Sequence, residues 1–468
     1  MKQFLFLFTF VLFTSNSIVL LNASERPNIL YINADDLGIQ DVSYNSNRYH
    51  TPNIDQLASE GMTFTQAYAP AANCAPSRSC CMTGQNTPRH SVYTVGNSDR
   101  GKSSQRKLIP VKNSVHIPQD KETVAEVLQA NGYKTIHLGK WHITKNPLNK
   151  GFDVNIGGND SGSPTGGYFS PFKKGSMKSY NNQYPAGTHR VDIFADQAVK
   201  FLRKHRDDPF FMYMSYYSVH TGIEPVPEFV EKYKGKNVNA AYASMIEKMD
   251  QGIGKILSEL DSLGLKDNTF VVFSSDNGGV QIISSQSPFR AGKGSYFEGG
   301  IRVPVVVRWP GKVEPGSINE TPVTGLDFFP TFLDVAGIDS SEQKILDGQS
   351  LVPLLTGKGQ FAERKLYWHF PIYLQGYGNI KKPEEGPHDS DFRTRPGSVV
   401  RDGKWKLHEY FEDGRLELYD LEADIGEQNN LSEAHPEIAS RMHADLKQWR
   451  KSMNAPVPTK LNPDYQPQ

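Results

Sequence analysis

The sequence predicts an α/β protein with a mostly parallel central sheet sandwiched by helices, followed by a smaller C-terminal α+β subdomain built on an antiparallel sheet. Three observations predict it. Short, continuously apolar runs with the length of buried strands recur at 27–33, 134–138, 209–217 and 268–274, with stretches of helical spacing between them. Each run ends in, or a few residues before, charged or amide side chains. Beyond about residue 360 the pattern changes to short strand-like segments punctuated by Asp-Gly turn signals. Alternating strands and helices imply a parallel sheet covered on both faces, and such sheets bind ligands outside the carboxyl ends of their strands.

The totals narrow the partners. Among 468 residues, 51 basic and 51 acidic side chains give a formal net charge of zero. Nothing therefore points to nucleic acid or an acidic membrane surface, and any anion must be selected locally. Residues 1–23 read as a signal peptide, with Lys2, an apolar run over 4–21, and small residues at Asn22, Ala23 and Ser24. An uncleaved anchor is the alternative, because the run approaches spanning length. The expectation is export, periplasmic or secreted, with a catalytic domain over 24–360, a C-terminal subdomain over 361–468 and no stable membrane contact. The three cysteines, Cys74, Cys80 and Cys81, lie within eight residues and make no disulfide framework. Cys80 and Cys81 read as buried apolar fillers.

In chain order, the run at 27–33 should be a central strand leading into Asp35 and Asp36. Adjacent carboxylates repel unless a cation joins them, although the D-D-x-G string alone suits a solvated turn equally well. Residues 51–61 read as a helix stopped by Gly61. The stretch C-A-P-S-R-S-C-C-M-T-G, from Cys74 to Gly84, reads as a further helix with Pro76 in its first turn. That start would set Cys74 by free backbone N–H groups that favour an anion, with Arg78 four residues on and able to reach back. A helix at 123–131 and a strand at 134–138 deliver Gly139-Lys140-Trp141-His142.

Residues 151–184 are rich in Gly, Ser, Asn and Pro, which predicts a long loop by the mouth of the site. A helix at 191–205 and a strand at 209–217 deliver His220, and the longest helix, 240–263, precedes the strand 268–274 that runs into Asp276 and Asn277. Gly292-Lys293-Gly294 and Glu298-Gly299-Gly300 lead to a strand at 305–309; a tight turn explains the glycines but not the lysine. A helix at 324–335 follows, then strands at 399–407, 409–411 and 416–419 with hairpin signals at Asp402-Gly403 and Asp413-Gly414, and a closing helix at 434–452. Asp35, Lys140, His220 and Asp276 all fall at or just beyond strand ends, a geometric agreement independent of any family.

The C-x-P-S-R string closing in T-G resembles the signature of type I, formylglycine-dependent sulfatases of the alkaline phosphatase superfamily. The G-K-W-H segment at 139–142, the string G-K-x-x-x-x-E-G-G-x-R-x-P at 292–304 and L-Y-D-L at 418–421 extend the resemblance over the chain after the signal. Cys81 stands where the family usually has leucine, and the proline usual near the family's histidine comes only at Pro225, after His220. The resemblance implies that a formylglycine-generating enzyme or an anaerobic sulfatase-maturating enzyme oxidises Cys74 to an aldehyde. Its hydrate has one hydroxyl to attack sulfur and a second whose deprotonation expels sulfate, an exit that serine lacks.

The implied metal ligands are Asp35, Asp36, Asp276, Asn277 and the Cys74-derived diol. The side chains around that diol offer only oxygen, which suits one calcium ion, with magnesium or manganese fitting less well. Arg78 and Lys140 would stabilise charge on diol and sulfate, and Lys293 would contact the sulfate and the bridging oxygen. His220 would protonate the departing alcohol and His142 would be the base for diol collapse, with the exchange of the two roles as the alternative. Substrate contacts are expected from Lys140, His220 and Lys293; His369 and Arg393 or Arg395, in the C-terminal segment that would border the pocket, are expected to contact sugar hydroxyls, carboxylates or additional sulfates, with solvated loop charges as the alternative reading.

The expected activity is desulfation of a sulfated polysaccharide or its oligosaccharides. A phosphonate or phosphate monoester hydrolase of the same superfamily is the nearest alternative. A catalytically silent glycan-binding protein would have lost at least one of Cys74, Arg78, Lys140, His220 and Lys293, and all five are present.

Overall fold

The computed structural model describes residues 26–343, 345–377 and 391–467. The expected signal peptide, residues 1–23, lies outside the described residues. At the centre is an eight-stranded sheet. Its order is Val154–Ile156, Lys134–Gly139, Phe210–Ser215, Asn28–Ala34, Thr269–Ser275, Val305–Arg308, Met62–Phe64, Ser317–Asn319. The first five run parallel. Val305–Arg308 pairs antiparallel with both of its neighbours.

Strand alternation divides the core between the two faces. Leu30 and Ile32 point with Ile136, Leu138, Met212, Met214, Val271 and Phe273 into one apolar cluster, which the helices Arg190–Lys204 and Ala240–Ser262 cover. Ile29 and Tyr31 point the other way with Phe211, Tyr213, Phe270 and Val272, against Val124–Ala130 and Phe328–Val335. With both faces buried, the central strands are apolar throughout, which is why they read as continuous runs.

Local signals account for the helix ends near the site. Thr123 caps Val124–Ala130, with Glu126 closing a capping box. The signature forms the helix Cys74–Thr83, and Gly84 ends it with φ 64°, a left-handed position that a side chain could not share with Leu346 and Phe329. Thr324 is not helical as expected. It belongs to a short strand, Val323–Thr324, followed by a 3-10 turn, because its side chain and Asp327 make a reciprocal cap in front of Phe328–Val335.

The C-terminal sheet is antiparallel in the order Leu366–Phe370, Gly397–Asp402, Trp405–Tyr410, Leu416–Asp420. The Asp402-Gly403 signal opens its first tight hairpin. The expected strand 399–407 is broken by that turn into parts of Gly397–Asp402 and Trp405–Tyr410, and the expected strand 409–411 overlaps the end of the second arm. The helix Pro436–Met453 packs Ala439, Met442 and Leu446 on one face of the sheet. The other face sets Trp368, Phe370 and Val399 against Tyr68, Tyr93, Tyr296 and Ile301 of the main unit. A buried charge cluster spans this junction. Lys406 Nζ lies 2.9 Å from Glu298 and 3.0 Å from Glu427, and Arg302 lies 3.1 Å from Glu298.

Candidate active site

Four neighbouring parallel strands end side by side, and each exports polar chemistry from its carboxyl end. Asp35 and Asp36 follow Asn28–Ala34, Lys140 follows Lys134–Gly139, His220 lies just past Phe210–Ser215, and Asp276 and Asn277 follow Thr269–Ser275. Gly139 permits the close approach: with φ 98°, a Cβ there would sit 1.9 Å from the Ser215 carbonyl. The start of the signature helix brings Cys74 to the same point. Its sulfur and carboxylate oxygens of Asp35 and Asp36 lie within 4.8 Å of one another, all buried.

Three ion pairs organise the floor. Lys140 Nζ is 2.7 Å from Asp35 Oδ2, Lys293 Nζ is 2.6 Å from Asp36 Oδ1, and Arg78 Nε is 2.7 Å from Asp276 Oδ2. Arg78 is fixed by more than its pair with Asp276. It also donates to the Lys140 carbonyl at 3.0 Å and to the Ser215 hydroxyl, so it ties three strand ends together. The Asp36 backbone N–H donates to Asp276 Oδ1 at 3.1 Å, and Asn277 Nδ2 donates to Asp36 Oδ1 at 2.9 Å. The second acidic loop thereby holds the first.

The donor set fits a hard divalent cation. Asp35 Oδ1 and Asn277 Oδ1 are buried oxygens without a hydrogen-bond partner among the described residues. Unpaired buried acceptors are costly, and a cation satisfies them. Burial, and then the carboxylates of Asp276 and Asp36, push Asp35 up to about 8 against the pull of Lys140. Burial pushes Asp36 upward too, but Lys293, His220 and Lys140 outweigh it and hold this carboxyl well below its ordinary range. Three carboxylates face three side-chain cations, so a bound divalent ion would leave the site net positive, suited to an anionic ester.

Above this floor opens a cleft of about 390 Å3, lined by Asp36, Cys74, His142, His220 and Lys293 and, around its rim, by Asn73, Arg100, Tyr377 and Arg393. Gly162 and Ser163 of the glycine-rich loop line the same cleft, where a mouth loop was expected. His220 Nε2 is 4.0 Å from Asp36 Oδ2, and its ring is lowered to about 3 by burial first and then by Lys140. His142 is held well below its ordinary value by burial and by Lys140, Arg78 and Lys293, and its Nδ1 has no partner among the described residues. Asp36 and His142 have φ of 60° and 61°. Side chains in this left-handed region are tolerated at a cost of roughly 1–2 kcal/mol, a strain that collects at functional sites. Burial raises the Cys74 thiol to about 11, so an unconverted cysteine here is a neutral thiol and a poor nucleophile.

Two expected substrate contacts are corrected. His369 is 2% exposed on the strand Leu366–Phe370, and its ring nitrogens lie 2.8 Å from the Ser398 hydroxyl and 2.9 Å from the Pro456 carbonyl. It packs the C-terminal sheet and does not face the cleft. Arg395 pairs with Glu412 at 2.7 Å and does not line the cleft either. Arg393 does. Sequence reasoning missed Asn73, Arg100 and Tyr377, of which only Asn73 adjoins a motif. It also missed Asp41, whose Oδ2 accepts from the Gly38 N–H at 2.9 Å and the Tyr242 hydroxyl at 2.8 Å and so braces the loop after Asp36.

Comparison with known proteins adds a family. The family model described as Sulfatase matches residues 27–338, and one described as N-sulphoglucosamine sulphohydrolase, C-terminal, matches residues 292–452. A sulfatase of Formosa agariphila is 32% identical, over 93% of this chain and 91% of its own length. The steryl-sulfatase of Mus musculus is 31% identical, over 75% of this chain and 69% of its own. Among solved structures, Ps i-CgsB in complex with k-i-k-neocarrahexaose superposes with a TM-score of 0.73 at 27% identity, covering 94% of both chains.

Proposed function

This chain belongs to the sulfatase family, enzymes that hydrolyse sulfuric esters, and from that premise we propose that it removes sulfate from a sulfated polysaccharide or its oligosaccharides after export. The observation that carries the reading is the meeting of Cys74, Asp35 and Asp36 at one buried point below an open polar cleft. A glycan is favoured over a sterol because the cleft's rim offers guanidinium, amide, hydroxyl and phenol groups from Arg100, Arg393, Asn73, Thr221, Ser163 and Tyr377, with Val95 and Val280 as its aliphatic members. The solved neighbour carrying a neocarrahexaose supports the same class.

In this proposal a formylglycine-generating or anaerobic sulfatase-maturating enzyme supplies the oxidant that converts Cys74 to formylglycine, whose hydrate provides the nucleophilic hydroxyl. Asp35, Asp36, Asp276 and Asn277 would hold the cation, calcium by donor type, which when bound supplies Lewis-acid polarisation of the sulfate. Lys140 and Arg78, fully buried and fixed by their pairs, present positive charge to the reacting group without reorganising. Lys293 reaches the cleft from Asp36 and is placed to bind sulfate oxygens and the bridging oxygen.

His220 stands at the open side and would give its proton to the departing alcohol oxygen. Burial and Lys140 lower its affinity for a proton, and an incoming sulfate monoanion raises it. His142 is the base for the later step, which takes a proton from the second hydroxyl of residue 74. The test is sulfate release, followed by ion chromatography, from a panel of sulfated polysaccharides, using protein co-expressed with a maturation enzyme. Release from a glycan supports the proposal. No release from any glycan or aryl sulfate by fully converted protein contradicts it.

A further inference from the structure

The proposed chemistry leaves two guanidinium groups on the cleft's rim unused. Arg393, on the strand Phe392–Thr394, stacks over the Tyr377 ring with 4.3 Å between guanidinium and ring centre. Its Nε donates to the Gln375 carbonyl at 2.9 Å, and its Nη1 donates to the Tyr377 hydroxyl at 2.8 Å. Nη1 also reaches the Lys293 carbonyl at 3.4 Å, which pins this arginine beside the lysine that faces Cys74. Arg100 lies on the loop after Val95 and makes one weak bond to the Val95 carbonyl at 3.3 Å. Both arginines are half-buried, and neither has a carboxylate partner among the described residues.

Arg106, Arg190 and Arg401 also lack a carboxylate partner among the described residues, but each donates to two or more carbonyl, hydroxyl or amide oxygens, whereas Arg100 has its single bond to Val95. Arg78, Arg89, Arg364, Arg395 and Arg450, also partly or wholly buried, each pair with an aspartate or glutamate. Arg100 is instead lowered, by burial first and then by the charge of Arg393, which lines the same cleft. Like charges that share one cleft and are partly desolvated do not stabilise a fold. They do prepare a site for an anion, and the planar guanidinium fork matches sulfate and carboxylate oxygens in pairs.

We propose that Arg100 and Arg393, with Tyr377 fixing the second, form an anion subsite beside the reaction centre, so that the preferred substrate carries another sulfate or a carboxylate next to the ester that is hydrolysed. The inference rests on the sulfatase reading of the cleft and narrows its substrate class to glycans with at least two anionic groups within one or two sugar units. Arg100 and Arg393 are then specificity residues: they recognise what stays on the substrate, whereas Lys140, Lys293 and His220 act on what leaves.

The test compares kcat/KM for three probes: 4-nitrophenyl sulfate, the same ester with an added ring carboxylate, and the same ester with an added ring sulfonate. Each is measured on matured wild type, Arg100→Ala and Arg393→Ala. Wild type should prefer the charged rings by roughly tenfold or more, the worth of one charge-assisted hydrogen bond. That ratio should fall toward unity in each variant and shrink as salt is added. The carboxylate and sulfonate arms show which anion is read. A wild-type ratio near one, or a ratio that both variants retain while sulfate is still released, overturns the subsite and leaves the sulfatase reading standing. No release from any probe or glycan by converted protein overturns both.

Discussion

Lys293 holds its ammonium 2.6 Å from Asp36 Oδ1 and 2.7 Å from Asp36 Oδ2, so both oxygens of one buried carboxylate are engaged by a lysine from a distant loop. A divalent ion that binds Asp36 must share that carboxylate with Lys293 or displace the ammonium toward the cleft, where the sulfate would lie. This relation connects metal loading to substrate binding. Lys293→Ala should lower kcat/KM on an aryl sulfate by about 10²–10³-fold, the usual scale for losing one preorganised electrostatic contact. Both Lys293→Ala and Lys140→Ala should also lose stability in urea denaturation, because each leaves a fully buried carboxylate, Asp36 or Asp35, without its ammonium. A Lys293→Ala protein of wild-type stability and activity would contradict the role of that pair.

The metal prediction reads stability directly. Treating converted protein with a chelator should lower the melting temperature, and adding calcium back should restore it. A ligand at a hundred times its Kd stabilises by about 2.7 kcal/mol. Asp35→Asn should remove the response to calcium, since Asp35 supplies one of the two oxygens of the acidic loops that are buried without a partner among the described residues. A calcium response undiminished in Asp35→Asn would place the ion elsewhere.

The proton donor can be separated from the base by leaving group. An aryl oxide departs without protonation, whereas a sugar alkoxide needs a proton. His220→Ala should therefore lose far more activity on a sugar sulfate than on 4-nitrophenyl sulfate, by roughly 10²-fold or more. His142→Ala should impair both substrates alike. The reverse pattern would exchange the two roles.

Much of the site was legible because strand ends announce themselves. Asp35, Lys140 and Asp276 each interrupt an apolar run fully buried on both faces, and such interruptions have few structural explanations. Direction and register were not legible. An apolar run such as Val305–Arg308 reads the same whether parallel or antiparallel, and only its pairing with Thr269–Ser275 and Met62–Phe64 fixes it. His369 was misplaced for the same reason. In Tyr367-Trp368-His369 the face that each side chain takes follows from pairing with Gly397–Asp402, which sets His369 opposite Ser398. Arg100 has no motif around it, and its importance comes from spatial proximity to Arg393, almost three hundred residues away, which no local pattern encodes.

Three buried histidines that do not line the cleft contribute to the acid sensitivity of the fold. Burial lowers His90, His189 and His369 to about 3 each. In His90 and His189 the Nδ1 accepts a backbone N–H, from Val92 and Val191 respectively, each at 3.2 Å, which only an unprotonated nitrogen can do. Because the folded values lie below the ordinary 6.5, the unfolded chain binds more protons between about 3 and 6.5. Their contribution to stability is complete above pH 6.5 and is lost as pH falls through that window, by about 1.4 kcal/mol per pH unit for each histidine. Urea unfolding at pH 7.5, 5.5 and 4.5 should show this slope, and His90→Gln should reduce it by one histidine's share. An unchanged slope would remove His90 from the account.

The Arg78–Asp276 pair should be structural as well as electrostatic. Both side chains are fully buried, and breaking such a pair by removing one partner costs about 3–5 kcal/mol. Arg78→Ala should lose that much in urea denaturation, together with activity. A variant of wild-type stability would mean that Asp276 finds another partner.

The most direct test is peptide mass spectrometry at position 74 of active protein, beside the sulfatase activity of Cys74→Ala. An aldehyde or its hydrate at residue 74, and no turnover in the variant, is the predicted result. An intact thiol in fully active enzyme, or a Cys74→Ala protein that hydrolyses sulfate esters at the wild-type rate, would contradict the account.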